Sequence, residues 1–255
     1  DFNTYTATEL GDGVDRASFH EHLSAEITMA ARQLAATHRV DTVFVGGGTP
    51  TLIGADALNH LIAHIRDDFE VAPDVEITTE ANPDSVDERM LTELKAGGFT
   101  RISFGLQSSA PHVLQVLERT HTPGAGGRAA QLARSTGFEH VNLDVIYATP
   151  GESDEDLHRT LDEVLESGVD HVSAYSLIVE QGTALARRVD RGEIPAPDDD
   201  VAADRYELID DRLRAAGLEW YEVSNWSKPG GECRHNLAYW RNRDWWGIGP
   251  GAHSH

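Results

Sequence analysis

The chain alternates between short apolar runs and longer stretches with helical periodicity. In SFHEHLSAEITMAARQLAATHR, Phe19, Leu23, Ile27, Ala30 and Leu34 recur at the three- and four-residue spacing that lines one face of a helix. DTVFVGGG reads as a short buried strand ending in glycines, and ADALNHLIAHIRDDF returns to helix. DVEITTEANP reads as a strand. DSVDERMLTELKAGGF reads as a helix opened by a capping box of Ser85 and Glu88 and stopped by Gly97 and Gly98. RISFGLQS is a strand, followed by helical pieces around Val113–Leu117 and Arg128–Thr136. HVNLDVIYATPG is a strand and turn. SDEDLHRTLDEVLESG is a helix capped by Ser153 and ended by Gly168, and DHVSAYSLI is a strand. DDDVAADRYELIDDRLRAAG is a helix with three acids at its positive end. Glu219–Val223 is expected to be a final strand, followed by loops.

Strand starts fall near Thr42, Val75, Arg101, Val141 and Val172, spaced by about 25 to 40 residues, the length of a βα unit with its crossover. Such alternation predicts a parallel sheet with helices packed outside it, either an open doubly wound sheet or part of a barrel. The leading helix has no strand before it, so the repeat is expected to have lost its first strand.

Composition narrows the partners. Of 255 residues, 40% are apolar and 25% charged, which fits a globular chain of one large domain or two small ones. The net charge of −22 disfavours phosphate backbones and anionic lipid surfaces. Nucleic acid and membrane are therefore not expected as direct partners. One cysteine, Cys233, excludes an internal disulfide and fits a cytoplasmic setting. The segment after Gly217 holds all five tryptophans.

In parallel βα architectures the chemistry gathers at the carboxyl ends of the strands. GGGTPT follows the first strand, where glycines let backbone N–H groups approach a ligand, although a tight strand-to-helix turn needs the same residues. Glu80 ends the next strand, Gln107 the one after, and Arg119 follows. Asp144 lies inside an apolar run, where a charge is costly unless it is paired or used. A glycine turn, two acids, an amide and an Arg at successive strand ends suit a zwitterionic amino acid carrying a ribose. His121, His171 and the terminal histidines are candidate metal ligands, though a lone His is more often structural. Cys233-x-His235 is too short to imply zinc. HNLAYW suits either an aromatic core cluster or a pocket for a flat ligand.

The blocks FVGGGTPT, TEANPDS, RISFGLQS, VNLDVIYATPGE, VSAYSLIVEQGT, YEVSNW, HNLAYW and GIGPGAHS, in this order, resemble the radical S-adenosylmethionine (SAM) family of oxygen-independent coproporphyrinogen III oxidase-like proteins, and within it the heme-chaperone branch. The resemblance runs over essentially the whole chain. It implies an incomplete (β/α)6 radical-SAM-type barrel lacking its first strand, with residues 1–216 as the partial barrel core. Residues 217–255 would be a final strand and an aromatic-rich region leading into a further C-terminal domain. In this family a C-x-x-x-C-x-x-C motif holds a 4Fe–4S cluster, and DFN follows its last cysteine. The cluster cysteines would precede Asp1, this chain would hold no metal ligand, and it would be inactive alone.

The resemblance also implies roles. Gly47, Gly48 and Thr49 would lie against the methionine end of SAM, Glu80 would hold its amino end, and Arg119 would meet its carboxylate. Gln107 and Asp144 would bond ribose hydroxyls, and Ile146 would line the adenine. HNLAYW matches an H-N-x-x-Y-W signature of the heme-chaperone branch, which makes His235 a heme-iron ligand, with Asn236, Tyr239 and Trp240 around the porphyrin. Relatives carry Gly where this chain has Ala148, and the methyl group is expected to narrow that turn without ending binding. The implied function is heme binding and delivery to heme-accepting proteins, with coproporphyrinogen III decarboxylation as the alternative. A cluster-free aldolase-type enzyme would need a Lys at an inner strand end, and Lys95 and Lys228 do not lie at one.

Overall fold

A computed structural model of the chain describes residues 18–119 and 122–255. The opening DFNTYT and His121 lie outside the described residues. Helix α1 (Phe19–Leu34) leads, and the units β1 (Val40–Val45), α2 (Ala55–Asp68), β2 (Val71–Ala81), α3 (Glu88–Gly97) and β3 (Arg101–Gln107) follow. Then come α4 (Pro111–Val116), α5 (Ala125–Ser135), β4 (His140–Tyr147), α6 (Asp154–Ser167) and β5 (His171–Ser176). The chain continues through α7 (Ala184–Asp190), α8 (Asp199–Ala215), β6 (Glu219–Glu222), β7 (Asn225–Ser227) and α9 (Arg234–Trp240).

Strands β1 to β5 pair in sequence order and are parallel, as helical crossovers require. β7 then adds antiparallel to β5, and β6 to β7, giving the order β1-β2-β3-β4-β5-β7-β6. The sheet curls into a half-barrel. Its two faces follow from the period of two along each strand. Val75, Ile77 and Ala81, Ile102, Phe104 and Leu106, Val141, Leu143 and Val145, and Val172 and Ala174 join the core with residues of α2, α3, α5, α6 and α8. The intervening positions carry Glu76, Thr78 and Glu80 on β2, Arg101 and Ser103 on β3, Asn142 and Asp144 on β4, and His171 and Ser173 on β5. These polar side chains face inward, and many are tied to one another by hydrogen bonds.

Three expectations need correction. Ser85 does not open a helix: it sits in a 3-10 turn, Pro83–Ser85, and its hydroxyl donates to the Asn82 carbonyl. Asp87 caps α3 instead, accepting from the Met90 amide, because its carboxylate is the side chain placed at the true N-cap. Second, residues 225–227 are a strand rather than a loop. Third, HNLAYW lies within helix α9. Helix α6 keeps its expected ends: Ser153 and Asp156 form a reciprocal capping box and Gly168 closes it in the left-handed region.

Candidate functional site

The inner face is built in layers along the strand direction. The lowest layer holds Glu76 and Arg101, 2–5% exposed and 3.4 Å apart. Arg101 Nη2 donates to the carbonyls of Gly231 (2.7 Å) and Glu232 (3.2 Å). Glu76 accepts from the amides of Arg234 and His235 and from the Cys233 thiol. Both partners thus anchor the segment that leads into α9.

The middle layer centres on Asp144. Ser103 Oγ donates to Asp144 Oδ2 at 3.1 Å, and Asn142 Nδ2 donates to Asp144 Oδ1 at 2.7 Å. Burial pushes the Asp144 carboxyl up to about 6, against these hydrogen bonds and one from Ser173. The apparent cost of a charge in an apolar run is resolved by alternation: Asp144 shares its face with Asn142, while Val141, Leu143 and Val145 turn to the helices.

The upper layer is the glycine turn with Glu80. The Gly47 amide donates to Glu80 Oε2 at 3.1 Å. Burial first, then the nearby Asp144 charge, push Glu80 up to about 7, and the Gly47 bond opposes this. Two carboxyl groups, on β2 and β4 with β3 between them, are both held above their ordinary range and favour a cationic ligand between them. Gly47 has φ 119°, which a side chain would strain, and a Cβ at Gly47 or Gly48 would find no atom within 4 Å. The turn therefore presents bare backbone to open space. Thr49 Oγ1 donates to the Gly48 carbonyl at 2.7 Å and so braces the same turn.

Gln107 ends β3 at φ 63° next to a register shift, and its side chain lies over Gly105, where a Cβ would meet Nε2 at 2.7 Å. Ile146 is half-buried on the face of Asp144. Arg119 follows α4, exposed, and its amide donates to the Leu114 carbonyl. No contact among the described residues ties its side chain to Glu80 or Asp144. Ala148 adopts φ 59°, the left-handed region that glycine enters freely. The residue is 4% exposed, so burial offsets part of the backbone strain.

The residues of α9 sit across the open side of the half-barrel. His235 Nδ1 bonds Thr42 Oγ1 (2.8 Å) and its ring stacks on Phe44 at 5.4 Å, so it touches edge strand β1. Its Nε2 bonds the Tyr239 hydroxyl at 2.9 Å, one helical turn on. Burial lowers the His235 pKa, and Glu76 opposes this. Asn236 Nδ2 (3.2 Å) and Trp240 Nε1 (2.8 Å) donate to Glu222 on the opposite edge strand, β6. One short helix therefore bridges the two edges of the sheet. Tyr239 and Trp240 are exposed, and Tyr239 meets Trp245 edge-to-face at 4.7 Å.

At the strand ends a hydrogen bond and nearby charge thus link Gly47, Glu80 and Asp144, with Gln107 and Ile146 on β3 and β4 beside them, and α9 is a second cluster. Gly46, read in the sequence only as part of GGGTPT, has a role of its own: a Cβ there would lie 2.6 Å from Phe44 and 3.3 Å from Glu80. Sequence reasoning missed Glu76, Arg101, Ser103, Asn142 and Tyr221. For the first four the signal was available, as polar residues alternating with apolar ones: Glu76, Thr78 and Glu80 in VEITTEA, Arg101 and Ser103 in RISFGLQ, Asn142 and Asp144 in VNLDVIY. His171, a candidate metal ligand by sequence, is buried with both ring nitrogens hydrogen-bonded, and no metal-binding group of three His, Cys, Asp or Glu occurs among the described residues.

A parallel βα half-barrel with glycines and carboxylates converging at its strand ends is the architecture of the radical SAM class. The model of the Radical SAM superfamily matches residues 15–164, and the chain belongs to that superfamily. It is 58% identical over 255 residues, all of this chain and 65% of the relative, to "Heme chaperone HemW" of Mycobacterium tuberculosis. It is 37% identical over 253 residues to the Escherichia coli protein of the same name, covering 99% of this chain and 65% of the relative. Mouse "Radical S-adenosyl methionine domain-containing protein 1, mitochondrial" is 36% identical over 252 residues, covering 99% and 56%. The solved coproporphyrinogen III oxidase HemN of Escherichia coli superposes with TM-score 0.80 at 24% identity, covering 94% of this chain and 57% of that one, a likeness of fold. The chain spans about two thirds of the length of the curated bacterial relatives it matches.

The superfamily implies SAM and a 4Fe–4S cluster. The residues fit SAM: an open glycine cradle, and two carboxyl groups whose ionised forms a sulfonium and an ammonium would favour. The described residues do not fit the cluster. The one cysteine, Cys233, is buried, and burial and Glu76 push its thiol up to about 11, away from the thiolate that iron requires.

Proposed function

We propose that this chain is the SAM-binding core and the heme-contacting segment of a heme chaperone that delivers heme to acceptor proteins. The observation that carries the reading is 58% identity across all 255 residues with a relative named for that role. Residues 1–216 form the partial barrel core and residues 217–255 the segment that meets heme. Gly47, Gly48 and Thr49 receive the methionine end of SAM, Glu80 its ammonium, and Arg119 its carboxylate. Gln107 and Asp144 accept or donate to ribose hydroxyls, and Ile146 packs on adenine. The 4Fe–4S cluster, held elsewhere in the whole protein, supplies one-electron chemistry when bound.

His235 is the heme-iron ligand in this reading, with Asn236, Tyr239 and Trp240 beside the porphyrin. Its Nε2 now bonds the Tyr239 hydroxyl, so ligation through that atom requires Tyr239 to turn outward, which its exposure allows. The protein works in the cytoplasm and meets membranes only through its acceptors. Among the described residues no helix is long and apolar enough to cross a membrane.

Full-length protein tests this directly. Titrated with heme it takes up one equivalent, read from the Soret band, and His235→Ala abolishes that uptake. Given coproporphyrinogen III and SAM under anaerobic conditions it forms no protoporphyrinogen. Decarboxylation of that substrate would replace the chaperone reading by the oxidase one.

A further inference from the structure

Behind Asp144 runs a chain of hydrogen bonds that crosses three strands and ends at the segment before α9. The Cys233 amide donates to the Tyr221 hydroxyl oxygen at 3.3 Å. Tyr221 lies 2.7 Å from His171 Nε2, and His171 Nδ1 lies 2.6 Å from Asn142 Oδ1. Asn142 Nδ2 then donates to both Ser103 Oγ and Asp144 Oδ1 at 2.7 Å.

Chemistry fixes the direction of every bond. An ionised carboxylate only accepts, so Asn142 must turn its Nδ2 toward Asp144 and its Oδ1 toward His171. Oδ1 cannot donate, so the proton between Asn142 and His171 sits on Nδ1. Burial lowers the His171 pKa well below its ordinary value, which keeps the ring neutral, so Nε2 carries a lone pair and takes the Tyr221 O–H. Tyr221 O in turn has its lone pairs for the Cys233 amide. All the donors run one way, from Cys233 toward the Asp144 carboxylate.

We propose that His171 is a positioning residue: giving its Nδ1–H to Asn142 Oδ1 while Tyr221 donates to its Nε2, it locks the Asn142 amide so that Asp144 is presented to the ligand as an oriented acceptor. This rests on the reading of Asp144 as a ribose-binding group. The alternative amide rotamer of Asn142 would set oxygen against oxygen at Asp144 Oδ1 and strip it of its nearest donor. The relay also links the SAM side to the α9 segment, because its far end is the backbone of Cys233, two residues before His235.

Three measurements on the full-length protein test the relay. In protein labelled with ¹⁵N in its imidazoles, with His171 assigned by comparison with His171→Asn, the His171 signals show protonated Nδ1 and unprotonated Nε2. An Nε2–H tautomer or an imidazolium overturns the proposal. Equilibrium SAM binding weakens about fivefold in His171→Leu, the worth of one neutral hydrogen bond. His171→Asn, which keeps a donor at the Nδ1 position, restores affinity to within about twofold. Equal affinities in wild type and His171→Leu, or equal losses in both variants, overturn it. Should His171→Leu not fold, Tyr221→Phe serves: it removes the donor to His171 Nε2 and loosens the ring, so SAM affinity falls at least about twofold, and unchanged affinity overturns the proposal. Asp144→Ala separates the two ideas, since SAM affinity unaffected by it overturns the ribose reading itself.

Discussion

Glu76 on β2 holds the backbone of His235 on α9: its Oε1 accepts the His235 amide at 3.0 Å, across 159 residues of chain. The other oxygen accepts the Arg234 amide, also at 3.0 Å, and Arg101 lies 3.4 Å away. Glu76→Ala therefore uncaps α9 and leaves the Arg101 guanidinium buried without its counter-charge. Removing one partner of a buried pair costs about 3 kcal/mol or more. Urea unfolding should show that loss, and proteolysis within 228–240 should speed up while cutting elsewhere does not. An unchanged urea midpoint would mean that α9 is held by its aromatic contacts alone.

Glu80 and Asp144 make the ligand-free protein less stable as pH rises. Both carboxyls sit above their ordinary values when folded, at about 7 and about 6. Between the ordinary carboxylate range and those values the folded state binds protons that the unfolded state has released. Stability conferred by the two groups is then complete at low pH and is lost as pH climbs through about 6 and about 7. Glu80→Gln should flatten the fall measured by denaturation. It will not abolish it, because burial also lifts Glu152 to about 7. SAM binding should release protons near neutrality, since its cationic groups favour ionised Glu80. Calorimetry in buffers of different ionisation enthalpy reads that release, and its absence would remove Glu80 from the ammonium site.

The three glycines of the first turn should separate stability from binding. Gly48→Ala places a Cβ in open space, with no φ penalty, so the fold should be unaffected. SAM affinity should fall about tenfold in the same variant, because the methyl fills space meant for ligand. Gly47→Ala should cost about 1 kcal/mol or more of stability from its positive φ. Gly46→Ala drives a methyl into Phe44 and toward Glu80, so it should impair folding and binding together. If Gly48→Ala bound SAM as wild type does, the cradle would not be where the methionine end lies.

Much of this was legible from periodicity. Ser153 and Gly168 bound α6 as read, since a hydroxyl N-cap and a left-handed glycine act locally. Ser85 misled because a second side chain suited to N-capping, Asp87, lay two residues on, and only the path of the backbone decides between them. α9 was hidden because its seven residues bury no side chain fully. What holds it are side chains of other elements: Glu76, 159 residues before His235, and Glu222 on β6. Strand β7, three residues long, owes its place to pairing with β5 rather than to any pattern of its own. Gly47 and Glu80 were singled out because strand ends are predictable in a βα repeat, and Asp144 because a charge stands out in an apolar run. Asn142 and His171 were not assigned to the site, because their role lies in contacts between neighbouring strands.

The lone cysteine gives the last prediction. Cys233 is 6% exposed and donates its thiol proton to Glu76 Oε1 at 3.4 Å. Burial and the Glu76 charge push its pKa up to about 11, and Arg101 pulls the other way without prevailing. Reactivity with electrophiles and with iron both require the thiolate. The folded 255-residue chain should thus ignore an aromatic disulfide reagent and consume one equivalent only after unfolding. Iron and sulfide added under reducing, anaerobic conditions should leave no 4Fe–4S absorbance after desalting, because one protonated, buried thiol cannot replace a set of thiolates. Glu76→Gln removes the charge that resists ionisation, and reagent access should then rise with pH from a lower onset. Rapid modification of the native wild-type thiol would show instead that the floor of the half-barrel opens on its own, and that the contacts of Glu76 with α9 are transient.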